Sequence, residues 1–295
     1  MTKPTPEPQS WGFVEGDAIT AELTTVRRLG GGSAYEAYLA FDEITYAPVV
    51  VKVVRPDQVS DEHSLRGLRR EVEALATVNH PVVVRGLRHE LTGPRPHVVL
   101  EQIDGPRLST LIRRHGPLPE QQYLPLAIEV ASALHYLRRI GWTHLDVKPS
   151  NVIMGAPARL IDLSVARPVE NACRTRQIGT DAYMSPEQCD PDRWGGPGFA
   201  SDVWGLAATL FEAVAGYRAF DDGDSGSADL GTQFRQLVDP PYELPDRVPP
   251  EVAKVLYAAL DRDPGMRPLP HEVAVALEPV LDRLPAVRLA GFKVR

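Results

Sequence analysis

The rhythm of apolar and polar positions changes near residue 105 of this 295-residue chain. Leu23 to Leu29 reads as a strand running into Gly30-Gly31-Gly32. Tyr35 to Phe41 and Pro48 to Val54 are rich in β-branched and aromatic residues, which suit a half-buried pleated surface. Glu62 to Val78 switches to helical spacing, with Leu65, Leu68, Val72, Leu75 and Ala76 on one side, and His80-Pro81 closes it. Val82 to Leu91 and His97 to Glu101 are predicted as two further strands. Beyond Gly105 helices dominate: Glu120 to Ile140, an Ala200 to Gly216 segment apolar almost all round and therefore buried, Glu251 to Leu260 and His271 to Leu284. Gly223 to Gly226 is a flexible loop. The pattern predicts an α+β chain, a small sheet with one main helix followed by a mostly helical half, without internal repeats.

Composition narrows the class without changing this layout. Hydrophobic residues make up 43% and charged residues 24% of the chain, ordinary for a water-soluble fold. A net charge of -7 argues against a general nucleic-acid binder, which carries a basic excess. No apolar run approaches the ~18 residues of a membrane span. Met1 to Gln9 is polar and holds Pro4, Pro6 and Pro8, unlike a secretory signal. Cys173 and Cys189 make no disulfide framework, so a reducing, cytoplasmic setting is expected, with both thiols unreactive. The histidines show no metal-ligand spacing. Expected segments are a flexible proline-rich arm over 1–19, a first lobe over 20–102, a second over 103–284 and a tail over 285–295.

The chemistry concentrates in His144-Leu145-Asp146-Val147-Lys148-Pro149-Ser150-Asn151, with Asp162 following Leu160-Ile161. Relative to Asp146, a lysine falls at +2, an asparagine at +5 and a second aspartate at +16. Asp146 can orient a hydroxyl and take its proton, and Lys148 can neutralise a moving phosphoryl group. Asn151 and Asp162 offer the hard oxygens that Mg²⁺ prefers.

These residues resemble the catalytic loop of protein kinases, in particular the eukaryotic-like Ser/Thr protein kinases of bacteria. The resemblance covers about residues 23–284 and implies a two-lobed kinase fold, ATP and Mg²⁺ as cofactors, and signalling through phosphorylation of protein Ser/Thr hydroxyls. Val49-Val50-Val51-Lys52 resembles the V-A-I-K strand, and Glu71 is preferred over Glu73 as the partner that holds Lys52 against phosphates. Gly30 and Gly32 match two glycines of the phosphate loop. Leu29, Ala37, Val50 and Ile153 would sandwich adenine, Leu100 would be the gatekeeper, and backbone groups of Glu101 and Ile103 would bind the adenine edge. Gly179-Thr180-Asp181-Ala182-Tyr183-Met184-Ser185-Pro186-Glu187 resembles G-T-x-x-Y-x-x-P-E, with Thr180 bridging Asp146 and Lys148. Asp202 would hold the catalytic loop, and Arg267 would pair with Glu187. Many bacterial relatives carry a membrane helix and a sensor after the kinase domain; the chain is expected to have neither. A homodimer formed through the small lobe belongs to the same resemblance.

The departures concern control more than chemistry. Tyr35 replaces the third glycine of the phosphate loop, Leu145 the arginine of H-R-D, and Leu163-Ser164 the F-G of D-F-G. Without that arginine, a phosphate on Thr175, the best candidate in Cys173-Arg174-Thr175-Arg176, cannot order the site by the usual contact. An active Ser/Thr kinase with weak loop control is therefore expected. A pseudokinase scaffold that binds nucleotide is the alternative. A small-molecule phosphotransferase is the third reading, disfavoured because such enzymes lack the segment ending at Glu187.

Overall fold

The computed structural model describes residues 8–175 and 177–285. Met1–Glu7 of the predicted arm, Arg176 and residues 286–295 of the predicted tail lie outside the described residues. Residues 8–105 together with Arg159–Arg167 form one compact unit, and Pro106–Ala158 with residues 168–285 a second.

The first unit is a six-stranded antiparallel sheet carrying one long helix. The strands are β1 (Ala18–Thr20), β2 (Leu23–Gly31), β3 (Tyr35–Asp42), β4 (Ala47–Val54), β5 (Gly86–Glu90) and β6 (His97–Glu101), in the order β1-β2-β3-β4-β6-β5. Alternation along β4 sends Val49, Val51 and Val53 to one face, where they cluster with Ile19, Leu23, Tyr38, Ala40 and Val99. Val50 and Val54 turn to the other, beside Leu68, Val84, Val98 and Leu100. Helix α1 (Glu62–Thr77) covers that second face with Leu65, Leu68, Val72 and Leu75. Its first turn is capped by the Asp61 carboxylate, which accepts from the Ser64 N–H at 2.7 Å.

Two expectations change here. The predicted flexible arm is docked from Ser10 onward. Trp11 and Phe13 pack on the first face of the sheet, the Trp11 indole N–H donates to the Val54 carbonyl at 2.8 Å, and Ser10 donates to buried Glu36 at 2.6 Å. The proline content suits a linker, but two aromatic side chains supply the burial that a linker lacks. The strand predicted from Val82 begins only at Gly86. Val82 and Val84 instead exchange backbone hydrogen bonds with Leu160, at 2.6 and 3.0 Å, which ties Arg159–Arg167 to this unit.

The second unit is mostly helical, with α2 (Leu108–His115), α3 (Glu120–Arg139), α4 (Phe199–Ala215), α5 (Pro250–Ala259) and α6 (Pro270–Asp282). As its composition predicts, α4 is buried almost throughout, and α3 and α5 pack against it. α6 lies along α3 and α5. Gly216, at φ 87°, closes α4 in the left-handed conformation that glycine adopts without strain. The loop from His144 to Asn151 follows α3, and Asp202 sits in the first turn of α4.

Candidate active site

In the first unit the apolar strand β4 carries a half-buried lysine with two carboxylates. Lys52 Nζ lies 2.7 Å from Glu71 Oε2 on α1 and 3.1 Å from Asp162 Oδ1. Burial alone would lower the lysine's pKa, but the charges of Glu71 and Asp162 outweigh it and hold the ammonium above its ordinary value. Glu71 is buried, whereas Glu73 is exposed. Asp162 has φ 68°, and Ser164 keeps a negative φ. The unusual backbone therefore falls on the aspartate rather than on the serine that replaces glycine.

The glycine-rich turn is held from its own unit. Gly32 N–H donates to the Tyr35 carbonyl at 3.0 Å, and the Gly32 carbonyl accepts from Arg55 Nε at 2.6 Å. A Cβ at Gly31 would stand 2.6 Å from the Tyr35 carbonyl oxygen, whereas one at Gly32 would meet open space. The steric need for glycine thus lies at Gly31, between the positions singled out by motif, although Gly30 has φ 147°. Ala37 pairs with Lys52, and Val50 with Leu100. Leu29, Ala37 and Val50 are half-buried and Leu100 is buried. The Glu101 N–H donates to the Arg85 carbonyl at 3.0 Å, and its carboxylate takes Arg85 and Arg159. The Ile103 carbonyl accepts the Gln102 amide at 3.1 Å.

In the second unit Thr180 joins the acid and the lysine. Its hydroxyl donates to Asp146 Oδ1 at 2.8 Å and accepts from Lys148 Nζ at 2.5 Å, while Lys148 Nζ lies 2.6 Å from Asp146 Oδ2. Asn151 Nδ2 donates to both the Asp146 carbonyl and Asp146 Oδ2 at 3.0 Å. Ile153 is half-buried in the strand that follows. Leu145 is buried at φ 63°, a conformation worth about 1–3 kcal/mol of strain for a non-glycine residue. Asp202 holds it there: its two carboxylate oxygens accept the His144 and Leu145 N–H groups at 2.8 and 2.7 Å. Burial pushes the Asp202 carboxyl up to about 7, against those two donors. Gln188 donates to the Leu145 carbonyl at 2.9 Å, a contact the sequence did not signal. Glu187 and Arg267 form a buried bidentate pair at 2.7 and 2.8 Å, with Ser201 donating to the same carboxylate.

The donor set suits Mg²⁺. The two Asp146 acceptors fix the Asn151 amide with nitrogen toward them, so its oxygen is turned away as a ligand oxygen should be. Among the described residues no cluster of three or more His, Cys, Asp or Glu could hold a metal. Mg²⁺ characteristically takes one or two protein carboxylates and completes its shell with phosphates and water, so the Asp162 carboxylate of the first unit and the Asn151 amide oxygen of the second are each a donor of the type it accepts.

Elsewhere, the Thr175 hydroxyl donates to the Asn171 carbonyl at 3.1 Å. Cys173 is exposed, and Cys189 is buried with its thiol pKa pushed up by burial, which keeps it protonated. No helix among the described residues is long and apolar enough to cross a membrane.

Comparison with known proteins agrees with this geometry. The chain is 31% identical over 249 residues to the serine/threonine-protein kinase PknB of Mycobacterium leprae, covering 81% of this chain and 39% of that protein. It is 34% identical over 252 residues to a probable serine/threonine-protein kinase, PkwA, of Thermomonospora curvata, covering 84% and 33%. A Corynebacterium efficiens relative, the serine/threonine-protein kinase drp72, matches at 28% over 261 residues, 85% and 49%. The chain therefore spans half or less of the length of these curated relatives. The family described as "Protein kinase domain" matches residues 23–276, and the chain belongs to that family.

Proposed function

We propose that the chain transfers the γ-phosphoryl group of ATP to Ser/Thr hydroxyls of proteins, with Mg²⁺ held by Asn151 and Asp162. The observation that carries this reading is the Asp146–Thr180–Lys148 triangle, in which acid, hydroxyl and ammonium sit within 2.8 Å of one another. Lys52, kept charged by Glu71, neutralises the α- and β-phosphates. Asp146 orients the substrate hydroxyl and accepts its proton. The hydroxyl oxygen bonds to the γ-phosphorus as the bond to the β-bridging oxygen breaks, and ADP leaves with that electron pair. Lys148 donates to the transferring phosphoryl oxygens. Bound Mg²⁺ would neutralise phosphate charge. Adenine recognition falls to Leu29, Ala37, Val50, Leu100, Ile153 and the backbone of Glu101 and Ile103, with Gly30 and Gly32 beside the phosphates.

The direct test incubates purified protein with Mg²⁺, labelled ATP and a generic basic protein, alongside Asp146→Asn. The expected result is labelled protein, reduced at least 100-fold in the variant, as for loss of a general base. Nucleotide binding without label above the variant would establish the scaffold reading instead. A labelled small alcohol without phosphoprotein would establish a small-molecule phosphotransferase.

A further inference from the structure

Two residues look out of place until they are put together. Tyr35 stands where the phosphate loop would have a third glycine. Gly67 stands inside α1, where glycine costs about 1 kcal/mol relative to alanine. The Tyr35 hydroxyl donates to the Ser64 carbonyl of α1 at 2.5 Å. A Cβ at position 67 would lie 2.5 Å from that hydroxyl oxygen but 3.7 Å from the ring carbon bearing it. A side chain at position 67 would therefore have to displace the hydroxyl, not the ring. The same ring has Lys52 Nζ 5.0 Å from its centroid, within cation–π range.

The helix geometry gives these contacts a consequence. Positions 64, 67 and 71 share one face of α1, being spaced i, i+3 and i+7. Tyr35 thus grips the face that presents Glu71 to Lys52, from a strand directly joined to the glycine-rich turn. Burial, the largest influence, raises the Tyr35 pKa to about 12, so the hydroxyl remains a donor across the working range.

We propose that Tyr35 is a positioning residue, a latch between the glycine-rich turn and α1 that holds Glu71 against Lys52 without help from a loop phosphate. The latch rests on the kinase reading for its role in catalysis, and on its own geometry for its existence. It supplies from within the first unit the ordering that Leu145 no longer allows through an arginine–phosphate contact.

The test uses Tyr35→Phe, Gly67→Ala and the double variant in the full chain. Removing the hydroxyl forfeits one hydrogen bond, which corresponds to about a fivefold effect. Tyr35→Phe should lower kcat about fivefold with a smaller change in KM for ATP. Gly67→Ala should lower kcat at least as much by displacing the hydroxyl, although alanine favours the helix and should not lower thermal stability. The double variant should match Tyr35→Phe alone, because the phenylalanine ring leaves room for the new methyl group. A merely structural role would make activity follow stability instead. Full activity in Gly67→Ala, or losses that multiply in the double variant, would overturn the latch.

A second readout needs no phosphotransfer. Acylation of Lys52 by an amine-reactive reagent without nucleotide, followed by mass spectrometry, should quicken severalfold in both single variants and no further in the double. If the labelling pattern holds in a protein that transfers no phosphate, the latch stands and the kinase reading falls. Unchanged Lys52 labelling in an active protein overturns the latch and leaves the kinase reading intact.

Discussion

Leu145 carries two messages at the scale of a single residue. Its backbone, at φ 63°, is locked by Asp202 on one side and Gln188 on the other, so Asp146 is presented from a fixed turn. Its side chain is buried and uncharged, so it cannot take a phosphate from a neighbouring loop. Thr175→Ala should therefore keep kcat within about twofold of the parent; a loss of tenfold or more in steady-state assays would restore control by loop phosphate. Asp202→Asn should behave differently. An amide can accept only one of the two N–H groups and turns a donor toward the other, leaving a buried N–H unsatisfied at about 1–3 kcal/mol. Chemical unfolding should show that loss, together with reduced kcat. At this scale the sequence was most legible where several polar residues share one spacing, as at Asp146, Lys148 and Asn151. Gln188 was invisible because a lone glutamine on a loop has no pattern.

Elements were legible where periodicity spans several turns or alternations. The helices at 62–77, 120–139 and 199–215 follow their apolar positions closely. α2 leaves no periodic signal because only Leu108 and Ile112 are buried in it, too few to set a period. The segment at 82–85 has the apolar pattern of a strand in Val82-Val83-Val84, whereas Val82 and Val84 bond to Leu160. The docked Trp11 and Phe13 make the N-terminal segment part of the sheet's cover. Trp11→Ala removes the indole bond to Val54 and the ring beside Arg95, and should cost about 3 kcal/mol in urea unfolding. A change below 0.5 kcal/mol would return this segment to the status of an arm.

The same sheet has an acid-sensitive tie. Arg88 grips buried Asp42 with two hydrogen bonds, at 2.7 and 2.6 Å, and these hold the carboxyl well below its ordinary value of 3.8. Because the folded pKa lies below the unfolded one, the contribution is complete above pH 3.8 and is lost as pH falls below it. Asp42→Asn should be less stable at pH 7 and show a shallower decline between pH 5 and pH 2. Parallel stability curves for parent and variant would refute that linkage.

At the scale of the whole molecule, the family resemblance was readable because its motifs are scattered over most of the chain and each is tied to a physical task. The Glu187–Arg267 pair joins residues 80 positions apart inside the second unit, fully buried. Arg267→Met should cost about 3–5 kcal/mol by stranding a buried carboxylate, and adding Glu187→Leu should recover part of that loss. Less legible was the way Arg159–Arg167 clusters with the first unit, which puts Asp162 beside Lys52. That depends on backbone bonds from Leu160 to Val82 and Val84, which no motif encodes.

Phosphoryl transfer to Ser/Thr hydroxyls, with Asp146 taking the proton, underlies the catalytic predictions. It is tested most directly by offering Mg²⁺-ATP and a peptide library containing Ser, Thr and Tyr to the parent and to Asp146→Asn, then locating phosphate by mass spectrometry. Phosphoserine and phosphothreonine, absent or at least 100-fold reduced in the variant, are the expected products. Phosphotyrosine alone, or no phosphopeptide from a protein that binds nucleotide, would contradict the claim.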